Sequence, residues 1–587
     1  MEDDLRTIDG SRHIENGLYP HPLDTFSRPL LYREQCLRNF SARFREEKDW
    51  TSKVTDRRFV AKKFREAAAV DCALLGDKIQ VWSKEDVELV YRELTEGYKP
   101  YVEKWKRTGL QPHVDGVWRM DDFMDQGLRR ELVRAAMNLE KDPEKPWHSV
   151  VGRQLLDLVH PCDYPIIYGR SKTTDGEYIE APKNRETTKG GDSPDYYAPE
   201  YHYSEKFCWL PSEFEISPKG ETRIASYVNN LSLDEEKTTF YPLLEKIFSK
   251  FVPLFNHVLA DLRRETYELR RVEYQEYREQ QKSMSGKSVS ECVYVKTRDR
   301  LFRQFEKGEK LTADVINEPE TPNIFKRFVP FHKRTESLFG GNPPSFVWGP
   351  PPESLLHTVR LEGTTVKVIV KMATLILTPD KPRSTGGPWH VEALKNERIV
   401  AAGIYYYDEE NVTPSSLGFR RAVRDMSLSM EGECQGLSGK YNSKSKIYSR
   451  AAQEMGSIAT KKNRAIVFPN IYQHRTQPLE LIDKTKNGYR RILAFFLCDP
   501  SGLHEIPTTR NVPPQQPGVR AATMKKLRDS GILELPFKIL ENVTKELPST
   551  ISREDNERYR RELMEERTKL NGNTKTISIN GNLYTID

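Results

Sequence analysis

The 587-residue chain has few cysteines, no long apolar run and no strong excess of either charge. Its seven cysteines (Cys36, Cys72, Cys162, Cys208, Cys292, Cys434 and Cys498) are scattered, odd in number and without a C-x-x-C pair. That spacing excludes a disulfide framework and a cysteine-built zinc site. The thiols are expected to be small buried apolar groups in a reducing compartment. No stretch reaches the roughly 18 apolar residues that a membrane span needs. The opening MEDDLRTIDG is acidic and lacks the apolar core of a secretory signal. A cytoplasmic protein with no membrane partner is therefore expected. Lys plus Arg is 92 against 86 for Asp plus Glu, a net +6, which is too thin a field for a nucleic-acid partner. The chain also lacks G-x-x-x-x-G-K-[ST], G-x-S-x-G and H-E-x-x-H, so ATPase, serine-hydrolase and zincin readings lose their usual support.

Apolar residues make up 37% and aromatic residues 10%, ample for a packed core. Length alone suggests about four domains or one large unit with insertions. We divide the chain into a mainly helical region (1–150), a mixed α/β region (151–350), a β-rich core (351–505) and a helical C-terminal segment (506–587), expected to pack as one unit. Ser83 and Asp86 resemble a capping box, and Val87, Val90, Tyr91 and Leu94 then share a helix face. Leu128, Leu132, Ala135, Ala136 and Leu139 repeat that spacing, with Pro143 just beyond. Residues 171–199 read as a loop. A hairpin is expected from Phe214 and Ile216, through Pro218-Lys219-Gly220, to Ile224–Val228. Residues 260–283 and 552–570 are charged, with thin apolar stripes, and are expected to be solvated helices on the outside.

From about 358 to 499 the texture changes. Residues 364–377, 399–407, 464–468 and 490–498 are β-branched, aromatic and apolar, and no helical pattern separates most of them. An antiparallel sandwich or barrel follows, not βαβ packing. The polar insert 424–463 reads as a long loop with one short helix.

Within this block stands Gly386-Gly387-Pro388-Trp389-His390-Val391-Glu392. On a strand, residues two apart share a face, so His390 and Glu392 offer an imidazole nitrogen and a carboxylate oxygen side by side. Phe468-Pro469-Asn470-Ile471-Tyr472-Gln473-His474 follows, and a sheet that folds back can bring His474 in as a third metal ligand. Two histidines and one carboxylate leave half of a coordination sphere open, the facial arrangement of non-haem ferrous oxygenases. A 2-oxo acid and dioxygen would fill the open positions. Arg490 and Arg491 head the next strand, and a guanidinium grips a carboxylate in a bidentate way. Neighbours on a strand point oppositely, so only one can face inward, and periodicity does not choose. The bland alternative pairs His390 with Glu392 at the surface and makes His474 a core group. His160, His202 and His332 read as structural.

These stretches, with LVHPCDYPIIYGR (158–170), EKFCWLPSEFEI (205–216), SYVNNL (226–231), GYRRILAFFLCDP (488–500) and NVPPQQ (511–516), resemble a large fungal family defined by a domain of unknown function. That family is similar to the iron(II)- and 2-oxoglutarate-dependent oxygenases. The resemblance implies an α+β fold: a double-stranded β-helix (jelly-roll, cupin-like) core wrapped by helices. It implies iron(II) on His390, Glu392 and His474, and 2-oxoglutarate on Arg490, with Arg491 in reserve. Glu392 stands where Asp is more usual in the wider oxygenase pattern. The implied activity is hydroxylation, desaturation or oxidative cyclisation of a small organic substrate, such as an amino acid or a natural-product intermediate of secondary metabolism. A Jumonji-type protein hydroxylase or demethylase, and a non-catalytic β-barrel binding protein, are the rival readings.

Overall fold

The computed structural model describes residues 19–23, 32–75, 82, 84–142, 146–147, 154–182, 203–231, 240–263, 300–311, 349–351, 353–422, 452–516, 530–531, 536, 538–539, 550–569, 577–579 and 582–584. The main N-terminal helices are α1 (Tyr32–Phe44), α2 (Arg57–Leu75), α3 (Lys84–Arg92) and α4 (Val102–Thr108). Aromatic packing holds them together. Phe40 stacks on Phe64 at 4.8 Å and meets Trp82 edge-on at 5.0 Å, and Phe302 stacks on the far side of Phe64. Val87, Val90 and Leu94 are buried as the periodicity predicts. Ser83, the expected cap, lies outside the described residues. The predicted second helix is α5 (Gln126–Glu140). Asp125 caps it by accepting from the Leu128 amide at 3.0 Å, which satisfies one of the free N–H groups of the first turn. Pro143, which was to end it, lies outside the described residues.

Besides two short two-stranded pairs, the strands are β1 (Leu110–Pro112), β2 (Trp118–Met120), β3 (Leu155–Val159), β4 (Ser212–Ile216), β5 (Thr222–Ile224), β6 (Thr365–Leu377), β7 (Arg383–Ser384), β8 (Ile399–Glu410), β9 (Ser415–Ala422), β10 (Ala452–Thr460), β11 (Arg464–Pro469), β12 (Tyr472–Thr476), β13 (Leu479–Glu480) and β14 (Gly488–Cys498). Every pairing among them is antiparallel. A nine-stranded sheet runs β1-β2-β11-β8-β14-β6-β4-β5, with β3 also on β6. A three-stranded sheet runs β10-β9-β12, and β13 pairs β7. The expected hairpin is β4 and β5, with Phe214 opposite Ile224; its return strand stops at Ile224, short of the Val228 expected. The fold is α+β, and the large sheet has the make-up of one layer of a β-sandwich.

The two faces of the large sheet differ, and parity assigns them. Phe495 of β14 meets Phe248 at 5.2 Å and Phe251 at 5.4 Å, both on the long apolar helix α6 (Phe240–Leu262). Gly403 of β8, opposite Phe495, lies under the same helix, and a Cβ there would come within 2.8 Å of Phe251. The alternate residues face the other way. Phe468, cross-strand from Ala402, packs against Phe419 of β9 at 5.1 Å. Leu375 and Leu377 of β6 cluster with Leu479 and Leu481. One face of the large sheet therefore carries helices, and the other meets the small-sheet strands.

Two expectations are corrected. The insert 424–463 is not all loop, because β10 occupies its end and pairs with β9. Ser, Gly and Ala recur in both strands, with Arg in β9, and Leu417, Phe419, Met455 and Ile458 are the large apolar side chains that mark their buried side. Residues 423–451 lie outside the described set. The segment 552–570 forms a helix, α8 (Arg553–Lys569), the next numbered helix after α7 (Glu353–Thr358); its outer face is solvated as expected, but its other face is not. Tyr559, Arg560, Leu563 and Arg567 are buried. Arg560 pairs with Asp157 and Asp163, and Arg567 with Glu397 at 2.7 Å. Charge hid this face from a count of apolar residues. The other charged segment lies outside the described residues beyond Arg263, as does residue 183 onward of the 171–199 loop, and residues 171–182 lack regular strand or helix. Among the described residues no helix is long and apolar enough to cross a membrane.

Candidate metal centre

His390, Glu392 and His474 converge: each offers a ligand atom, and these atoms lie within 4.8 Å of one another. It is the one such cluster of three or more His, Cys, Asp or Glu among the described residues. The approach begins at Gly386, which has φ +79° and where a Cβ would sit 2.1 Å from the Thr476 carbonyl, so only glycine lets the two segments come this close. His390 and His474 then exchange main-chain hydrogen bonds across an isolated bridge. Glu392 Oε1 is 3.3 Å from His474 Nε2 and 3.7 Å from His390 Nε2. His390 Nδ1 lies 3.0 Å from the Pro388 carbonyl, a geometry in which Nδ1–H donates and Nε2 is left as the ligand nitrogen.

Electrostatics agrees with the geometry. Burial works to raise the Glu392 carboxyl, but the two histidines and the charge of Lys371 overcome it and hold it at about 2. It is therefore a carboxylate at neutral pH. Its other oxygen, Oε2, is buried with no hydrogen-bond partner among the described residues. A buried anionic oxygen without a donor is costly unless a cation meets it.

The sequence reading missed Asn470. Its side chain accepts from the Glu392 amide and donates to the Glu392 and Ile399 carbonyls, all at 2.9 Å. It thus clamps the turn that presents Glu392. Phe468 lies against the His474 ring at 4.6 Å. The only signal for either was position, Asn470 four and Phe468 six residues before His474 in one short run. His160 is structural, its Nδ1 accepting from the Cys162 amide at 3.2 Å; His202 and His332 lie outside the described residues.

The two arginines part company on β14. Arg491 faces the helix layer, where it donates to both oxygens of Glu140 on α5 and to Asp408. Arg490, opposite Leu375, faces the small-sheet side. Its Nε donates to Glu409 at 2.8 Å, and its Nη1 is buried without a hydrogen-bond partner among the described residues.

The chain matches a family described as "Protein of unknown function (DUF4246)" over residues 84–523, and that family's N-terminal domain over residues 3–66. The chain belongs to this family. No curated protein matches it. Solved structures give loose likenesses. One is a selenomethionine-labelled Fe(II)/(alpha)ketoglutarate-dependent dioxygenase TqaL, at 12% identity over 27% of this chain and 52% of that one, with a TM-score of 0.16. Another is IDO from Bacillus thuringiensis, at 9% identity over 27% of this chain and 65% of that one, TM-score 0.16. A bsmA homologue from Methylobium petroleophilum follows at 8% identity, 28% and 59% coverage and TM-score 0.15. The chain spans less than two thirds of each, and overlap this slight carries no argument about chemistry.

Proposed function

We propose that the protein is a non-haem iron(II)- and 2-oxoglutarate-dependent oxygenase on a double-stranded β-helix. The observation that carries this is the buried His390–Glu392–His474 cluster with its unsatisfied Glu392 oxygen. Two imidazoles and one carboxylate suit ferrous iron and leave positions open for a chelating 2-oxo acid and dioxygen. The strand order supports the scaffold. From β6 to β14 the chain alternates between the sheets: β6, β8, β11 and β14 lie in the large one, and β7, β9, β10, β12 and β13 among the small-sheet strands. That weave is what a jelly roll requires.

When bound, ferrous iron with 2-oxoglutarate and dioxygen supplies oxidation of a substrate C–H bond. The chain's own residues position and shield. Asn470 fixes the Glu392 main chain, the Pro388 carbonyl fixes the His390 ring, and Phe468 keeps water from one side of His474. Arg490 is the cation for the distal carboxylate, since it stands on the face of β14 turned to the small-sheet strands. The substrate is a small organic molecule, and hydroxylation, desaturation and ring closure are all open to this chemistry. The test is anaerobic addition of ferrous iron and then 2-oxoglutarate to the full chain. A weak visible charge-transfer band should grow with the second addition and be missing in His474→Ala. No band in the wild-type protein would sink the reading.

A further inference from the structure

The cross-strand partners that place Arg490 on the small-sheet side place a second cation there. Lys371 of β6 stands opposite Ala494 of β14. Directly opposed residues in an antiparallel pair share a face. Ala494 alternates with Phe495, which lies under α6, and Lys371 alternates with Val370, the partner of Phe495. Thr374, on the helix face of the same strand, donates to Glu140 of α5 at 2.6 Å, which confirms the parity. Lys371 is therefore on the inner wall. It is half-buried in the run TVKVIVKMATLIL, whose other lysine on that face, Lys367, is turned to the His504 carbonyl at 3.3 Å.

Its position along the wall separates it from Arg490. Arg490 is opposite Leu375, four residues further along β6, or about 13 Å at the usual rise per residue. The ring of Phe496, two residues from Ala494, stacks with Trp209 at 6.1 Å, so the wall around Lys371 is aromatic and aliphatic. Phe468, whose ring lies 4.6 Å from that of His474, stands in one cross-strand row with Ala402, Phe496 and Ile369, and Ile369 is two residues from Lys371 on the same face of β6. Lys371 thus stands at the level of the cluster, and Arg490 lies well along the strand.

We infer that Lys371 is the substrate-anchoring cation, and that the substrate is an organic acid whose carboxylate it holds beside the metal cluster. This rests on the oxygenase reading, in which Arg490 serves the cosubstrate. An ammonium on a flexible stem, half-buried in an apolar wall, gives one strong point contact to a carboxylate, and the surrounding hydrocarbon selects the rest of the molecule.

The test uses the iron-loaded full-length protein and a panel of free L-amino acids and simple carboxylic acids, each paired with its primary amide. Substrate-stimulated release of succinate is the readout. Acids should stimulate and their amides should not. Lys371→Met should raise the half-saturating concentration of the stimulating acid about tenfold or more, as expected for loss of a charge-assisted contact. Lys371→Arg should restore most of it. The 2-oxoglutarate charge-transfer band and the melting temperature report separately on the cosubstrate and on folding, and both should persist in Lys371→Met. Amides that stimulate as well as acids would overturn the inference. So would a Lys371→Met protein that folds but loses the band, because Lys371 would then belong to the cosubstrate. A wild-type protein without any band would count against the oxygenase reading itself.

Discussion

His390 and His474 donate to each other's carbonyls across an isolated bridge, at 3.1 Å and 2.8 Å, although 84 residues separate them. Their rings end up with centroids 4.2 Å apart, and Glu392 Oε1 meets both. The main chain, not the side chains alone, sets the spacing of the cluster. Replacing one imidazole should therefore remove a ligand without moving the other two. His474→Ala should weaken ferrous-iron or cobalt binding by at least about a hundredfold, read by anaerobic titration calorimetry. Wild-type affinity in that variant would show that the cluster is an ordinary buried ion pair.

Asn470 gives a second prediction. Its amide is buried and makes three hydrogen bonds, two of them to the Glu392 main chain. Asn470→Ala strands those groups, so it should cost about 2–4 kcal/mol in denaturant unfolding. Metal affinity should fall about 10–100-fold, since the carboxylate loses its clamp. Asn470→Asp keeps an acceptor for the Glu392 amide but loses both donors, and should lie between. An Asn470→Ala variant that binds metal normally would reduce this residue to a folding element.

The β-rich core was legible because its strands are apolar on both faces. Residues 399–407 lie under α6 on one side and against the small sheet on the other, so the run had no polar gaps to misplace it. The cluster was legible because H-x-E on extended chain needs only alternation, and a returning strand can bring a third ligand. β9 and β10 stayed hidden because only one face meets the core and Arg, Ser and Gly blur the alternation. The buried face of α8 was invisible for a related reason: Arg560 and Arg567 enter the interior by pairing with Asp157, Asp163 and Glu397, partners distant in the chain. Parity between Arg490 and Arg491 needed the position of Glu140, which no local pattern supplies.

That parity yields a third prediction. Arg491 is tied to Glu140 and Asp408 in a nearly closed environment; Arg491→Met leaves Glu140 without this cation, while Asp408 keeps Lys462 at 2.6 Å. It should cost about 3–5 kcal/mol of stability, and its requirement for 2-oxoglutarate should stay near the wild-type value. Arg490→Met should do the reverse, raising the half-saturating 2-oxoglutarate concentration about tenfold or more with a smaller loss of stability. If the two variants exchange these effects, the assignment of faces on β14 is inverted.

The fourth prediction concerns pH and the joint between the N-terminal helices and the large sheet. Glu46, just after α1, has Oε1 at 3.0 Å from Arg119 of β2, 3.2 Å from Arg464 of β11 and 3.3 Å from His113. Burial acts to raise its carboxyl, but His113, Arg119 and Arg464 overcome that and bring it from 4.5 to about 2. His113 is itself pushed down to about 4, chiefly by burial, so at neutral pH it is uncharged and the cations on Glu46 are the two arginines. A carboxyl lowered by folding stabilises the native state at pH values above its unfolded value. That contribution is lost as pH falls from about 4.5 through about 2. Glu46 is partly open to solvent, so the loss should be on the order of 2 kcal/mol, below the full value of the shift. Glu46→Gln should be less stable than wild type at pH 7, and the gap should close toward pH 2 in urea titrations. A gap that stays constant across that range would mean that the carboxylate charge plays no part in holding this joint.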